Sequence, residues 1–194
     1  MNIEPQTWID KRDSPRFRWG ALLGSVVIAM ALVGCQAGPA PVGPTTAVAQ
    51  LEPTQGFAVR GTVRFTQVAD GVHIEAEVKG LVPGLHGFHV HEKGDCSAPD
   101  ASSAGAHYNP HAATHGSPLA DAHARHAGDL GNLASDPGTG DAVYDRIDSI
   151  LRLDGDESIV GRAVIVHAGE DDLRADGTST GGARIACGVI RAED

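Results

Sequence analysis

The segment VHIEAEVKG, residues 72–80, is the stretch that most restricts the fold. Val72, Ile74, Ala76 and Val78 share one parity, and His73, Glu75, Glu77 and Lys79 share the other. Side chains along a strand alternate faces, so this pattern predicts a strand with one buried and one wet face, His73 on the wet one. The preceding run FAVRGTVRFTQ repeats it, with Val59, Val63 and Phe65 on one side, and ADG supplies a turn at Asp70 and Gly71. Further strands are expected at GFHVH, DAVYDRI, SILRL, GRAVIVH and RIACGVI. No apolar stripe at helical spacing persists beyond the N-terminal segment. Together with 25 glycines and only 4% aromatic residues, this favours an all-β domain with many turns. A net charge of −10 without a basic patch excludes a phosphate-neutralising, nucleic-acid-binding surface.

The first 34 residues read as an address. Lys11, Arg12, Arg16 and Arg18 precede the apolar run GALLGSVVIAMALVG, the order of a secretory signal peptide and too short for a comfortable bilayer span. The run ends in LVGC, residues 32–35, which resembles a lipobox with Cys35 as the lipidated residue. Cleavage at Ala47-Val48-Ala49 and an uncleaved anchor are the alternatives. Residues 36–56, with Pro39, Pro41, Pro44 and Pro53 among small residues, read as a tether, and the domain is expected from Phe57 onward. Assigning Cys35 to lipid leaves Cys96 and Cys187, which an oxidising compartment would pair, two free buried thiols being the alternative. Such a bridge closes a long loop and is worth roughly 4–5 kcal/mol on a chain-entropy model.

Histidine placement carries the functional signal. In GLHGFHVHEKGDC, residues 84–96, His89 and His91 share a strand face opposite Phe88 and Val90, with His86 just upstream. His107, His111, His115, His123, His126 and Asp129 crowd the aperiodic stretch between His91 and Ala142, and His167 ends the strand AVIVH. A structureless loop of that length is functional or misassigned. A loose histidine-rich metal sponge is the bland alternative. Ligands drawn from strands and loop alike argue against it.

GLHGFHVHEKGDC, SAGAHYNP, HAGDLGNL, GRAVIVHAGEDDL and GGARIACGVI together resemble the copper/zinc superoxide dismutases of bacterial exported type, in order across residues 57–191. The resemblance implies an eight-stranded Greek-key β-barrel or sandwich with long metal-binding and channel loops, related to the immunoglobulin-like architectures. It implies one copper per subunit on His89, His91, His107 and His167, and one zinc on His107, His115, His126 and Asp129. His107 would bridge as an imidazolate, plausible only between two cations. Histidine-rich donor sets suit redox-active copper, and three histidines with a carboxylate suit a closed zinc site. It further implies His86 behind the copper ligands, Asp171 (with Asp172 as rival) linking a copper to a zinc histidine, and Arg184 guiding the superoxide anion. His111 and His123 are left as loop histidines, and monomer and homodimer are both compatible. The activity implied is dismutation of superoxide at the cell envelope. Metal buffering without turnover is the competing function.

Overall fold

In the computed structural model, residues 43–175 and 181–193 are described. The expected alternation organises the first half of the barrel. Strand β2 (Arg60–Val68) runs antiparallel to β3 (Gly71–Lys79) from Arg60 opposite Lys79 to Val68 opposite Gly71. Val63, Phe65, Val72, Ile74 and Val78 are completely buried between the sheets. Gly71 makes the turn possible: it sits at φ 142°, and a Cβ there would lie 2.0 Å from the Asp148 carbonyl oxygen.

The tether expectation for residues 36–56 is corrected from Thr46 onward. Residues Thr46–Pro53 form β1, which pairs with β2 from Thr46 opposite Thr66 to Leu51 opposite Gly61. Ala47, Ala49 and Leu51 point into the core. The period of two was present in the sequence, but two of its three inward positions are alanines set among prolines, a composition that reads as linker. The segments before residue 43, including the signal-like run and Cys35, lie outside the described residues.

The remaining strands are β4 (Gly84–His91), β5 (Asp129–Ser135), β6 (Ala142–Asp148), β7 (Ala163–His167), β8 (Arg184–Val189) and the short β9 (Arg191–Ala192). Eight run in the order β5-β4-β7-β8-β1-β2-β3-β6, with β9 beside β1, and all pairs are antiparallel. The path nearly closes: the Tyr144 hydroxyl on β6 donates to the Leu130 carbonyl on β5 at 2.8 Å, and Tyr144 meets Phe88 edge to face at 5.2 Å. Counted through that closure, β3 to β4 and β6 to β7 each pass over two strands, the Greek-key connections. Burying a side chain such as Phe65 or Phe88 stabilises by about 1.5–3 kcal/mol.

Two further expectations change. The long aperiodic stretch after His91 ends at Asp129, where β5 begins; Gly131 at φ 87° breaks its simple alternation. SILRL is a corner rather than a strand. Asp148 Oδ1 accepts the backbone N–H groups of Ile150 and Leu151 at 2.9 and 3.1 Å, which bends the chain as β6 ends. No helix among the described residues is long and apolar enough to cross a membrane.

Candidate metal centre

Phe88 and Val90 point into the barrel, so His89 and His91 must point out of it, yet all four are buried. The loop from residue 92 to 128 covers their outer face. His89 and His167 both adjoin register shifts, between Gly87 and His89 in the β4–β5 pair and between Val166 and His167 in the β7–β8 pair. Such irregularities re-aim side chains next to functional sites. Behind His167, a Cβ on Gly181 would fall 2.6 Å from the histidine's own Cβ, so only glycine fits.

Two donor clusters result. In each, one ligand atom from every residue lies within 4.8 Å of the others: His89, His91, His107 and His167 in the first, and His107, His115, His126 and Asp129 in the second. His107 belongs to both.

The first cluster is anchored from outside. His89 Nε2 lies 2.6 Å from Asp171 Oδ2, while His91 Nδ1 and His167 Nδ1 donate to the carbonyls of Gly105 and Gly182, both at 2.9 Å. The opposite nitrogens, His89 Nδ1, His91 Nε2 and His167 Nε2, are buried and have no hydrogen-bond partner. A buried polar atom without a partner is costly, so three of them converging is the arrangement a cation would satisfy. Burial also disfavours charge here, pulling the pKa of His89 down to about 4, His91 to about 2 and His167 to about 3. Neutral imidazole is the form that binds metal.

The second cluster is built around a carboxylate. Asp129 Oδ1 lies 2.9, 3.1 and 3.2 Å from the Nδ1 atoms of His107, His115 and His126. The His115 approach is close in distance but poorly aligned for a hydrogen bond, leaving that nitrogen without a partner by geometry. Burial lowers the His115 pKa, but the two carboxylates it faces, Asp129 and Asp171, outweigh it and push it up to about 10. Burial would raise the Asp129 carboxyl; its histidine partners instead hold it well below the usual range. Three imidazole nitrogens and one carboxylate oxygen within 4.8 Å of one another are the donor types and number of a tetrahedral zinc site.

Asp171 spans the clusters, its Oδ1 taking His115 Nε2 at 2.8 Å while Oδ2 takes His89 Nε2. Asn132 fixes it in turn, exchanging two 2.8 Å hydrogen bonds with its backbone. Asp172 instead accepts the Arg174 backbone N–H at 3.0 Å. His86 is buried with its Nδ1 and Nε2 each 2.9 Å from a carbonyl, of His167 and Val82. His123 lies against His111, ring centroids 6.2 Å apart, and His111 Nε2 pairs with Glu157 at 3.1 Å, away from both clusters. His73 pairs with Asp145 at 2.9 Å on the outer sheet face.

A cleft of about 550 Å³ opens over the clusters, bordered by Glu92, Asn109, Gly182 and Arg184. Arg184 donates to the carbonyls of Ala101 and Gly105 at 2.6 Å each, so it shares the Gly105 oxygen with His91. The disulfide Cys96–Cys187, with Cα atoms 5.8 Å apart, ties that loop to β8, the strand bearing Arg184.

The family model for copper/zinc superoxide dismutase matches residues 59–190. The chain belongs to the copper/zinc superoxide dismutase family. Across 136 residues it is 44% identical to an extracellular superoxide dismutase of Caenorhabditis elegans, covering 67% of this chain and 60% of that protein. It is 43% identical over 143 residues to superoxide dismutase 4 of Dictyostelium discoideum, covering 70% and 93%. The crystal structure of the clock protein EA4 superposes with a TM-score of 0.69 at 42% identity, covering 79% of this chain and 98% of that one. Copper and zinc are the metals of this family, and both clusters suit them.

Sequence reasoning missed the parts that carry no chemical label. Asn132 and the carbonyls of Gly105 and Gly182 hold the ligands but belong to no recognisable spacing. Arg125, wholly buried beside His126, was also unmarked.

Proposed function

We propose that this member of the superoxide dismutase family divides its donors into a copper half, His89, His91, His107 and His167, and a zinc half, His107, His115, His126 and Asp129. The observation that carries this reading is the set of unpartnered inner nitrogens on His89, His91 and His167 beside a second, carboxylate-centred set that shares His107. Bound copper supplies one-electron exchange, by which one superoxide loses an electron and leaves as dioxygen while a second gains that electron and two protons to become hydrogen peroxide. The chain's part is to hold, to attract and to move protons. His107 turns Nδ1 toward Asp129, so Nε2 is the atom that takes and returns a proton on the copper side. Arg184 draws the anion into the cleft, and its bonds to Ala101 and Gly105 keep the guanidinium at the rim. Asp171 and His86 hold the imidazoles in orientation.

The domain is exported. The C. elegans relative is named as extracellular, and here a basic-then-apolar segment precedes the barrel. Lipid on Cys35 anchors the domain to a membrane, with residues 36–45 as the tether. Cleavage at Ala47-Val48-Ala49 is disfavoured, because it would cut through the buried face of β1.

One preparation tests the whole reading: the full chain expressed in an exporting host, with metal content and superoxide consumption measured in membrane and soluble fractions. About one copper and one zinc per active chain, in the membrane fraction and released by Cys35→Ser, is the expected result. Tight metal binding without turnover would replace the enzyme with a metal store, and wild-type activity wholly in the soluble fraction would remove the anchor.

A further inference from the structure

Arg125 is only 1% exposed and is the largest fully buried side chain among the described residues, yet the donor assignment leaves it without a role. A buried guanidinium is expensive unless it is paired and hydrogen-bonded. Its Nη2 donates to Asp148 Oδ2 at 2.6 Å, and Asp148 is itself fully buried. The other carboxylate oxygen of Asp148 holds the Ile150 and Leu151 N–H groups, so this anion is part of the corner that follows β6. On the opposite side, Arg125 Nη1 faces the carbonyls of His126, Ala127 and Asp129, each at 3.2 Å.

Those carbonyls belong to the turn that carries two donors of the second cluster. The N–H side of the same turn is closed by Asp129, whose Oδ2 accepts from His126 N at 2.9 Å and Gly116 N at 3.0 Å. Its Oδ1 is thereby left for the three imidazoles. The turn is clamped between a cation on its carbonyl side and an anion on its amide side, and the cation is bolted to a different strand.

We infer that Arg125, locked by Asp148, is a positioning residue for zinc: it keeps Asp129 Oδ1 and His126 Nδ1 aimed at one point. This rests on the assignment of His107, His115, His126 and Asp129 to zinc. A purely structural pair would behave differently. Apolar residues of similar volume often replace a buried ion pair without loss of stability, but they cannot hold three carbonyls.

The test uses the full chain carrying Arg125→Met and Asp148→Leu together. Metal-free stability is read from urea unfolding, zinc affinity from chelator competition, and site geometry from the absorption of cobalt(II) placed in the zinc site. The expected result is a folded metal-free domain, less stable because the Ile150 and Leu151 N–H groups lose their acceptor, with zinc affinity about 10–100-fold weaker, a cobalt spectrum shifted away from tetrahedral, and unchanged copper affinity. Wild-type zinc affinity in the double variant would overturn the inference. If that variant fails to fold, Arg125→Lys decides: it keeps the charge beside Asp148 but not the fork. Weakened zinc with an altered cobalt spectrum supports the clamp, and wild-type values overturn it. Asp129→Ala is the control for the assignment beneath it; full zinc affinity there would remove the zinc site itself, whatever Arg125 does.

Discussion

The two donor clusters share His107 and lie against each other, but they solve the burial of charge in opposite ways. The first contains only imidazoles; burial keeps His89, His91 and His167 neutral, and these three are pinned from outside so that their inner nitrogens stand unpartnered. The second places a carboxylate at its centre, so that its histidines already lean on an anion. A cation entering the first meets dipoles held in place; one entering the second replaces protons and relieves a crowded ion cluster. The contrast suits the chemistry of each half. A redox centre must tolerate a change in its own charge within fixed surroundings, whereas a closed tetrahedral site with a carboxylate holds an ion of constant charge.

Removing the carboxylate should break the contrast most sharply. About 10–16 kcal/mol of zinc binding shared among four donors makes each worth roughly 10²–10³-fold in affinity. Asp129→Ala is expected to weaken zinc by that order and copper far less, whereas His107→Ala should weaken both. Isothermal titration of metal-free protein with each ion checks this. Stable, full zinc occupancy in Asp129→Ala would show that the clusters are not divided as drawn.

Acidity should separate the halves next. His89, His91 and His167 titrate at about 4, 2 and 3, so no proton on them competes with copper between pH 5 and 7. His115, raised to about 10, holds a proton at neutral pH that zinc must displace. Zinc affinity is therefore expected to fall more steeply than copper affinity as pH drops from 8 to 5, by about one extra decade per pH unit for the one extra proton. The same groups shape the stability of the metal-free protein. The lowered histidines contribute fully above their unfolded value of 6.5, and that contribution is lost as pH falls toward 4 and below. The raised His115 contributes fully below 6.5 and loses it as pH rises through about 10. Competition titrations at several pH values would show the reverse, a steeper copper slope, if the protonation states were exchanged.

What could be read from the residues follows the same divide. The strands of the barrel announce themselves where large apolar residues alternate, as in β3, and fade where alanine does the alternating, as in β1. Histidine and aspartate spacing marks donors, because few other roles need so many imidazoles. The supports are different. Asp171 reaches His89 across 82 positions and Arg125 reaches Asp148 across 23, and neither pairing has a period or motif. Only the pairing of β4 with β7, and the packing of the covering loop against the end of β6, brings them together. Carbonyl anchors such as Gly105 are less visible still, since every residue has a carbonyl.

The smallest expected effect lies at the rim, where the first cluster meets solvent beside Arg184. With a net charge of −10, the chain as a whole repels superoxide, so rapid turnover needs a local positive entrance. In the proposed reading Arg184 supplies one, since its place on the Gly105 carbonyl, which it shares with His91, puts that charge beside the first cluster. Steering by such a field changes association by about tenfold or more. Arg184→Glu is thus expected to lower activity by about that factor with copper and zinc contents unchanged, separating approach from metal binding. Arg184→Lys keeps the charge but cannot bond two carbonyls as a planar fork does, so it should fall between. Wild-type activity should also decline by a few-fold as salt rises from 0.01 to 0.1 M, since the screening length shrinks from about 30 to about 10 Å. In Arg184→Glu the decline should vanish or reverse, because screening then hides a repulsion. Equal activity of Arg184→Glu and wild type at low salt would take Arg184 out of the anion's path and leave the metal charges as the entrance's attraction.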